Sequence, residues 1–371
     1  MKLTLQLQLL PSEAQKADLL RTMETFNAAA NFAAEQGFAA GYFGQVNLHR
    51  ITYAAIRERF GLSAQMAVRA IAKAVEVFQR DQTVCPTFKP RGAVTYDQRI
   101  LSFKGLTEVS LWTLAGRLRV PFVCGSYQQA LLGRIKGQAD LVYRGRKFYL
   151  LCTIDMPEPP PLQTTEAIGV DLGIVNLATD STGETFTGDK VEEVRQRYAR
   201  RRAELNRCGT KSARRRLSKI RKKESHFRRN ENHRIAKQLV AKAKATTSRI
   251  VFEDLKGIRE RVSVNGQQRA KHSGWAFFQL QQLTAYKAKL AGIDVMYVDP
   301  RNTSRTCSQC GHCDKANRRN QAEFCCQHCG HSSNADINAA QNIRTRGLVN
   351  RPIVGLDAHS VSGPVLTSHL L

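Results

Sequence analysis

Residues 307–342 read CSQCGHCDKANRRNQAEFCCQHCGHSSNADINAAQN. Two Cys-x-x-Cys knuckles, Cys307/Cys310 and Cys326/Cys329, stand fifteen residues apart, and Asp336 follows seven residues after the last cysteine. Each knuckle presents two sulfurs to one ion, so the pair offers the four thiolates of a tetrahedral zinc site. With all four positions taken by protein, the zinc is expected to be structural and to leave no place for a reacting water. A module of about 30 residues cannot bury enough core to fold alone, and metal binding supplies the missing energy. Gly311 and Gly330 follow the knuckles as turn residues. The alternatives are a redox pair or buried thiols. Cys325 breaks the two-residue spacing to Cys329, so Cys326 is the better ligand, and Cys313 reads as a spare. Cys85, Cys124, Cys152 and Cys208 are scattered and read as ordinary core or surface thiols.

Working outward, the chain of 371 residues has room for two or three domains, and 42% hydrophobic residues suffice for real cores. Its formal net charge of +26 calls for an anionic partner, nucleic acid before membrane. The sequence has no run of about 18 consecutive apolar residues, so no membrane partner is expected. The first nine residues alternate as a strand and lack the solid apolar stretch of a signal peptide, which points to a cytoplasmic protein, nucleoid-associated when bound to DNA. Ten cysteines with zinc spacing do not suggest a disulfide framework.

The first half reads as a strand, then helices, then a small barrel. Leu3, Leu5, Leu7 and Leu9 share one face of the opening strand, and Ser12-x-x-Gln15 resembles a capping box, predicting a helix from Glu13 to about residue 35. Two more helices are expected near 49–60 and 63–79. From Val84 to Met156, β-prone runs at 95–100, 108–114, 118–122, 139–143 and 147–154 suggest a curled sheet that the first strand joins. Pro157–Pro161, with four prolines in five residues, reads as a stiff linker.

In the second half an apolar strand, Ala167–Val170, runs into Asp171, and a β-prone run from Ile174 leads to a hairpin turn at Asp180–Gly183. Residues 195–229 hold 16 Lys or Arg and only Glu204 and Glu224. A second apolar strand, Arg249–Phe252, ends at Glu253. The polar stretch 259–275 reads as a mobile loop. A helix near 277–290, a strand near 293–298 and, after the cysteines, a helix from Asp336 to about residue 344 complete the pattern. Residues 347–371 show no period and are expected to be disordered.

Asp171 and Glu253 occupy costly positions, since a carboxylate at the end of a buried strand needs a partner or a metal, and Asp336 begins a helix just after the cysteine module. Singly, Asp171 could be a turn residue, Glu253 a surface acid and Asp336 an N-cap. On a strongly basic chain the combination suits a metal-dependent nuclease. Basic surface holds phosphate, and the acids hold hard cations, two Mg²⁺ with Mn²⁺ as a substitute.

These residues resemble a known family. Ile168-Gly169-Val170-Asp171-Leu172-Gly173, Ile250-Val251-Phe252-Glu253-Asp254-Leu255 and Asp336-Ile337-Asn338-Ala339-Ala340-Gln341-Asn342 look like the three RuvC motifs. The cysteine ribbon, preceded by Asn302-Thr303-Ser304, sits between the second and third. The arrangement resembles the TnpB family of transposon-encoded proteins, relatives of type V CRISPR effectors, clearly over 165–345 and more softly over 1–160. The resemblance implies an α+β multidomain fold. Residues 1–160 would be a wedge-like β-barrel with a helical recognition lobe inserted at about 12–80. Residues 161–302 and 332–346 would be a split RNase H-like RuvC domain, and 303–331 an inserted zinc ribbon. It implies an RNA-guided DNA endonuclease with Asp171, Glu253 and Asp336 as catalytic, magnesium-binding acids. Its partners would be a guide RNA from the transposon end and double-stranded DNA beside a short adjacent motif, with 259–275 as a lid. An RNA-guided regulator that does not cut, a compact type V CRISPR effector and a strand-transferring transposase are the alternatives.

Overall fold

The computed structural model describes residues 1–255, 277–349 and 365–366, and the chain divides after Met156 into two compact units. In the first unit, β1 (Lys2–Leu9) buries Leu3, Leu5, Leu7 and Leu9, as strict alternation requires. Helix α1 (Glu13–Ala40) opens with the anticipated capping box, the Gln15 amide donating to Ser12 Oγ at 3.3 Å and the Ser12 amide to Gln15 Oε1 at 3.0 Å. It continues past residue 35 to Ala40, because Gly37 is a packing glycine and not a break. A Cβ there would press on Leu48 Cδ1 at 2.8 Å and Tyr42 O at 2.9 Å. The helix stops at Gly41, in the left-handed region at φ 68°.

Helices α2 (Gln45–Phe60) and α3 (Ala64–Phe78) pack with α1. Fully buried Asn27 on α1 donates to the Pro90 and Gly92 carbonyls, both at 3.1 Å, tying the helices to the segment that enters the sheet. Strands β2 (Val94–Tyr96), β3 (Leu101–Lys104), β4 (Glu108–Thr113) and β5 (Gly116–Val123), the short helix α4 (Ser126–Gln129), β6 (Ile135–Arg144) and β7 (Lys147–Asp155) follow. With β1 they form a nearly closed sheet of order β2-β6-β7-β1-β5-β4-β3. β1 pairs with β7 along its whole length but with β5 only at Gln8 and Leu9.

The second unit contains β8 (Glu166–Asp171), β9 (Asn176–Asp180), β10 (Thr185–Thr187), α5 (Asp189–Cys208), α6 (Lys211–Ala245), β11 (Ser248–Glu253), α7 (Phe277–Leu290) and β12 (Val295–Val298). The ribbon strands β13 (Glu323–Cys325) and β14 (Ser332–Asn334) come next, then α8 (Ala335–Val349). The main sheet has the order β10-β9-β8-β11-β12. β8, β11 and β12 are mutually parallel, and β9 and β10 run antiparallel.

The basic stretch is two helices. Gly209, at φ 61°, ends α5, and Thr210 caps α6 by accepting from the Ala213 amide at 3.2 Å. Arg202 and Glu224 form an ion pair between α5 and α6.

Residues 347–349 extend α8, and β15 (Val365–Leu366) pairs in parallel with β1 at Thr4 and Leu5, so this part of the expected disordered tail is structured. The rest of the tail, and the presumed loop at 259–275, lie outside the described residues. Among the described residues no helix is long and apolar enough to cross a membrane.

Candidate functional site

Parallel pairing brings the first two acids together. β8 and β11 run in register from Glu166/Ser248 to Val170/Phe252, so Asp171 and Glu253 are the next residues on adjacent strands. Open α/β sheets bind ligands at such carboxyl ends.

The third acid arrives through helix packing. A Cβ on Gly169 would overlap the Ala340 carbonyl and the Arg344 amide, and one on Gly347 would overlap the Val251 side chain. The two glycines therefore let α8 lie directly across β8 and β11. Alternation puts Asp171 on the same face as Gly169, and Glu253 on the same face as Val251. Two strand residues advance about 6.6 Å, and one helical step of four about 6 Å. Stepping from Gly169 to Asp171 along the strand thus matches stepping from Ala340 back to Asp336 along the helix. Asp336 does not cap that helix. Asn334 does, its Oδ1 accepting the Asp336 amide at 2.9 Å and the Ile337 amide at 3.3 Å.

The electrostatics reflect this crowding. The Asp171 carboxyl is pushed up to about 8, first by burial and then by the charges of Glu253 and Asp336, while Arg318 and the Leu172 amide oppose the rise. Burial also raises Glu253, against a hydrogen bond from Thr303 and the charge of Arg346. Thr303 Oγ1 donates to Glu253 Oε1, Asn176 Nδ2 donates to Asp336 Oδ2 at 2.8 Å, and Arg318 lies 3.7 Å from Asp336 Oδ1. Sequence reasoning named Thr303 only as part of the run before the cysteines and missed Arg318 and Asn176. Their spacing carries no signal, because each reaches the acids across the fold.

The four predicted cysteines converge. Cys307, Cys310, Cys326 and Cys329 place their sulfurs within 4.8 Å of one another. The separations Cys307–Cys329, 3.7 Å, and Cys310–Cys326, 3.6 Å, are close to the roughly 3.8 Å expected for a tetrahedron with metal–sulfur bonds of about 2.3 Å. The knuckles are built alike. Gly311 and Gly330 donate to the carbonyls of Cys307 and Cys326 at 3.0 and 3.1 Å, with φ of 75° and 73°. The Cys329 amide donates to Cys326 Sγ at 3.5 Å, which holds that thiol down to about 6 and favours the ligating thiolate. Cys325 belongs to β13 and lies outside the cluster.

The ribbon is bonded to the acid-bearing helix. Asn338 Nδ2 donates to the Thr306 carbonyl at 2.9 Å, and Asn342 Nδ2 donates to the carbonyls of Thr303 and Thr306 at 2.8 and 2.7 Å.

Comparison with known proteins agrees in both parts of the second unit. Residues 150–256 match the family model described as a probable transposase of the IS605 OrfB type, and residues 277–343 match the Cas12f1-like TNB domain. The chain is 35% identical over 218 residues to the CRISPR-associated endodeoxyribonuclease Cas12f1 of Sulfoacidibacillus thermotolerans, covering 54% of this chain and 50% of that protein. It is 27% identical to the putative RNA-guided DNA endonuclease InsQ of Escherichia coli K12, covering 76% of this chain and 73% of the relative. Among solved structures, the mini-RNA-guided endonuclease CRISPR-Cas_phi3 shares the fold with a TM-score of 0.61 at 10% identity, over 96% of this chain and 93% of the other. The chain spans about half the length of the Cas12f1 relatives it matches, 50% and 48%. By sequence it is similar to TnpB-like proteins, to putative RNA-guided DNA endonucleases and to Cas12f endodeoxyribonucleases.

Proposed function

We propose that this protein is an RNA-guided DNA endonuclease of the transposon-encoded type, hydrolysing phosphodiester bonds at Asp171, Glu253 and Asp336. The observation that carries the reading is the meeting of three carboxylates at the ends of parallel strands and the start of one helix, on a chain of net charge +26. In this reading the sheet of order β10-β9-β8-β11-β12 is an RNase H-like RuvC domain, and the four-cysteine module is a structural zinc ribbon inserted in it.

The acids suit Mg²⁺ or Mn²⁺. Hard carboxylate oxygens are the ligands such ions prefer, and the Asp171 carboxyl, raised first by burial and then by the charges of Glu253 and Asp336, is a group that a bound cation would stabilise in its charged form. Two such ions, when bound, would supply Lewis-acid stabilisation of the attacking and leaving oxygens. The chain's own residues do the rest. Thr303 holds one oxygen of Glu253 and Asn176 one oxygen of Asp336, which fixes the direction in which the remaining lone pairs point. Arg318 brings a fixed positive charge to the carboxylates, placed to meet a phosphate. The guide RNA and its paired DNA would be held through their backbones by basic surface, to which α5 and α6 contribute.

The test is cleavage of a matched plasmid by purified protein with its copurified RNA and Mg²⁺. Wild type should cut and Asp171→Ala should not, with target binding retained. Cutting by Asp171→Ala would refute the assignment of the acids. Tight binding by wild type without any cut would favour a guided DNA-binding regulator.

A further inference from the structure

The geometry points to Gln281 as a positioning residue for Glu253. Its side-chain amide stands in for a missing strand partner at the point where β8 and β11 part to hold the acids. The inference rests on the reading of Asp171, Glu253 and Asp336 as metal-binding acids, and adds to them a residue from a different element.

The ladder shows what is missing. In a parallel sheet the backbone groups of alternate residues face alternate neighbours, the amide bonding one position before its opposite residue and the carbonyl one position after. Ile250 stands opposite Val295 and donates to the Asp294 carbonyl at 3.0 Å, and the Asp254 amide donates to the Val298 carbonyl at 2.8 Å. Ile250, Phe252 and Asp254 therefore turn their backbone groups to β12, and Val251 and Glu253 turn theirs to β8. β8 and β11 pair last at Val170 and Phe252. One step further Glu253 stands level with Asp171, and by the same offset its carbonyl would take the Leu172 amide. That amide bonds the Asp171 carboxyl instead. The strands thus stop sharing bonds at the two acids, and the Glu253 carbonyl is left without a strand donor. A carbonyl withdrawn from water needs one.

Helix α7 supplies it. Gln281 Nε2 donates to the Glu253 carbonyl at 2.8 Å, and Gln281 is buried. The helix is fastened on its other side as well. Gln279, two residues earlier and so about 200° round the helix, accepts from Nδ2 of fully buried Asn232 on α6 at 2.9 Å. Turning α7 would break both bonds. Glu253 is then held at two points, its carbonyl by Gln281 and its Oε1 by Thr303. With backbone and one carboxylate oxygen fixed, the other oxygen has a set direction, which is what a cation site requires. Gln281 acts through the backbone of Glu253 and not as a ligand.

The test uses Mn²⁺ as the probe, its free ion counted by electron paramagnetic resonance during titration into the full chain, with melting temperature and zinc content measured beside it. Gln281→Met removes the donor while keeping the length of the side chain. Its Mn²⁺ dissociation constant should rise about 10-fold or more, and cleavage should fall further at limiting than at saturating Mg²⁺. Gln281→Asn, whose amide is one methylene short of the carbonyl, should shift the affinity in the same direction and replaces Gln281→Met if that variant does not fold. Gln279→Met breaks the bond of the same helix to α6 and should lower the melting temperature without moving Mn²⁺ affinity. Wild-type affinity in the folded Gln281 variants would overturn the inference. So would equal weakening by Gln279→Met, which would make packing of α7 the cause. Mn²⁺ binding by wild type no tighter than by Asp171→Ala would remove the metal reading of the acids, and the role of Gln281 with it.

Discussion

Cys325 and Cys326 are neighbours, yet only one sulfur reaches the four-cysteine cluster. β13 alternation turns Cys325 away, while the knuckle turn carries Cys326 inward beside Cys310. Cys326→Ser should release the zinc and destabilise the ribbon, whereas Cys325→Ser should keep one zinc per chain, as measured by elemental analysis of the purified proteins. Equal metal content in the two would show the wrong sulfur had been chosen. Thr303 is the second residue with a sharp expectation. Removing its hydroxyl in Thr303→Val frees Glu253 Oε1 from its donor while leaving the cysteines untouched. The Mg²⁺ concentration needed for half-maximal cleavage should rise about 10- to 100-fold, with zinc content constant. An unchanged Mg²⁺ requirement would reduce Thr303 to a packing residue.

At the scale of elements, one crossing matters most, that of α8 over β8 and β11. It depends on the absence of side chains at Gly169 and Gly347, and backbone atoms stand where a Cβ at Gly169 would go. Backbone cannot rotate aside as a flexible side chain can. Gly169→Ala should therefore cost at least the roughly 1–3 kcal/mol of an overpacked core and lower cleavage as well, since the helix that lifts off carries Asp336. Thermal melting beside a cleavage assay checks this; a variant that melts and cuts like wild type would show that the contact yields. The same crossing marks the limit of what periodicity shows. Apolar runs ending at Asp171 and Glu253 announce strands, and Asp-Ile-Asn-Ala-Ala announces a helix. The short strands β3 and β10 have no such signal, because three- and four-residue strands carry almost no period and are held by their neighbours. The end of α1 departs from expectation for the opposite reason. Gly37 lies inside the helix as a contact point against Leu48 and Tyr42.

For the molecule as a whole, pH offers a test of the second unit. His233 on α6 is buried, and desolvation, with the charges of Lys287 and Arg229, lowers its pKa to about 4. The folded unit therefore binds fewer protons than the unfolded chain between the ordinary 6.5 and about 4. The contribution of neutral His233 is complete above 6.5 and is lost as pH falls through that window, on the order of 3 kcal/mol. Asp171 acts with the opposite sign, its raised carboxyl favouring the folded state as pH falls from about 8. The quantity to measure is thus the difference in urea midpoint between wild type and His233→Gln from about pH 7 to about pH 4. Wild type should lose stability faster than the variant; parallel curves would show that His233 is protonated without penalty.

From the sequence alone came the features that depend on near neighbours: the metal knuckles, the capping box, the alternating first strand, the identity of the three acids and the excess positive charge. Spacing decides these, because a turn, a cap or a strand face is set within a few residues. Tertiary structure alone decided how the acids meet and which groups hold them. Asn176, Thr303 and Arg318 reach the carboxylates over separations of 160, 50 and 18 residues. Such contacts arise when distant segments pack, and composition and period carry no record of the partner chosen.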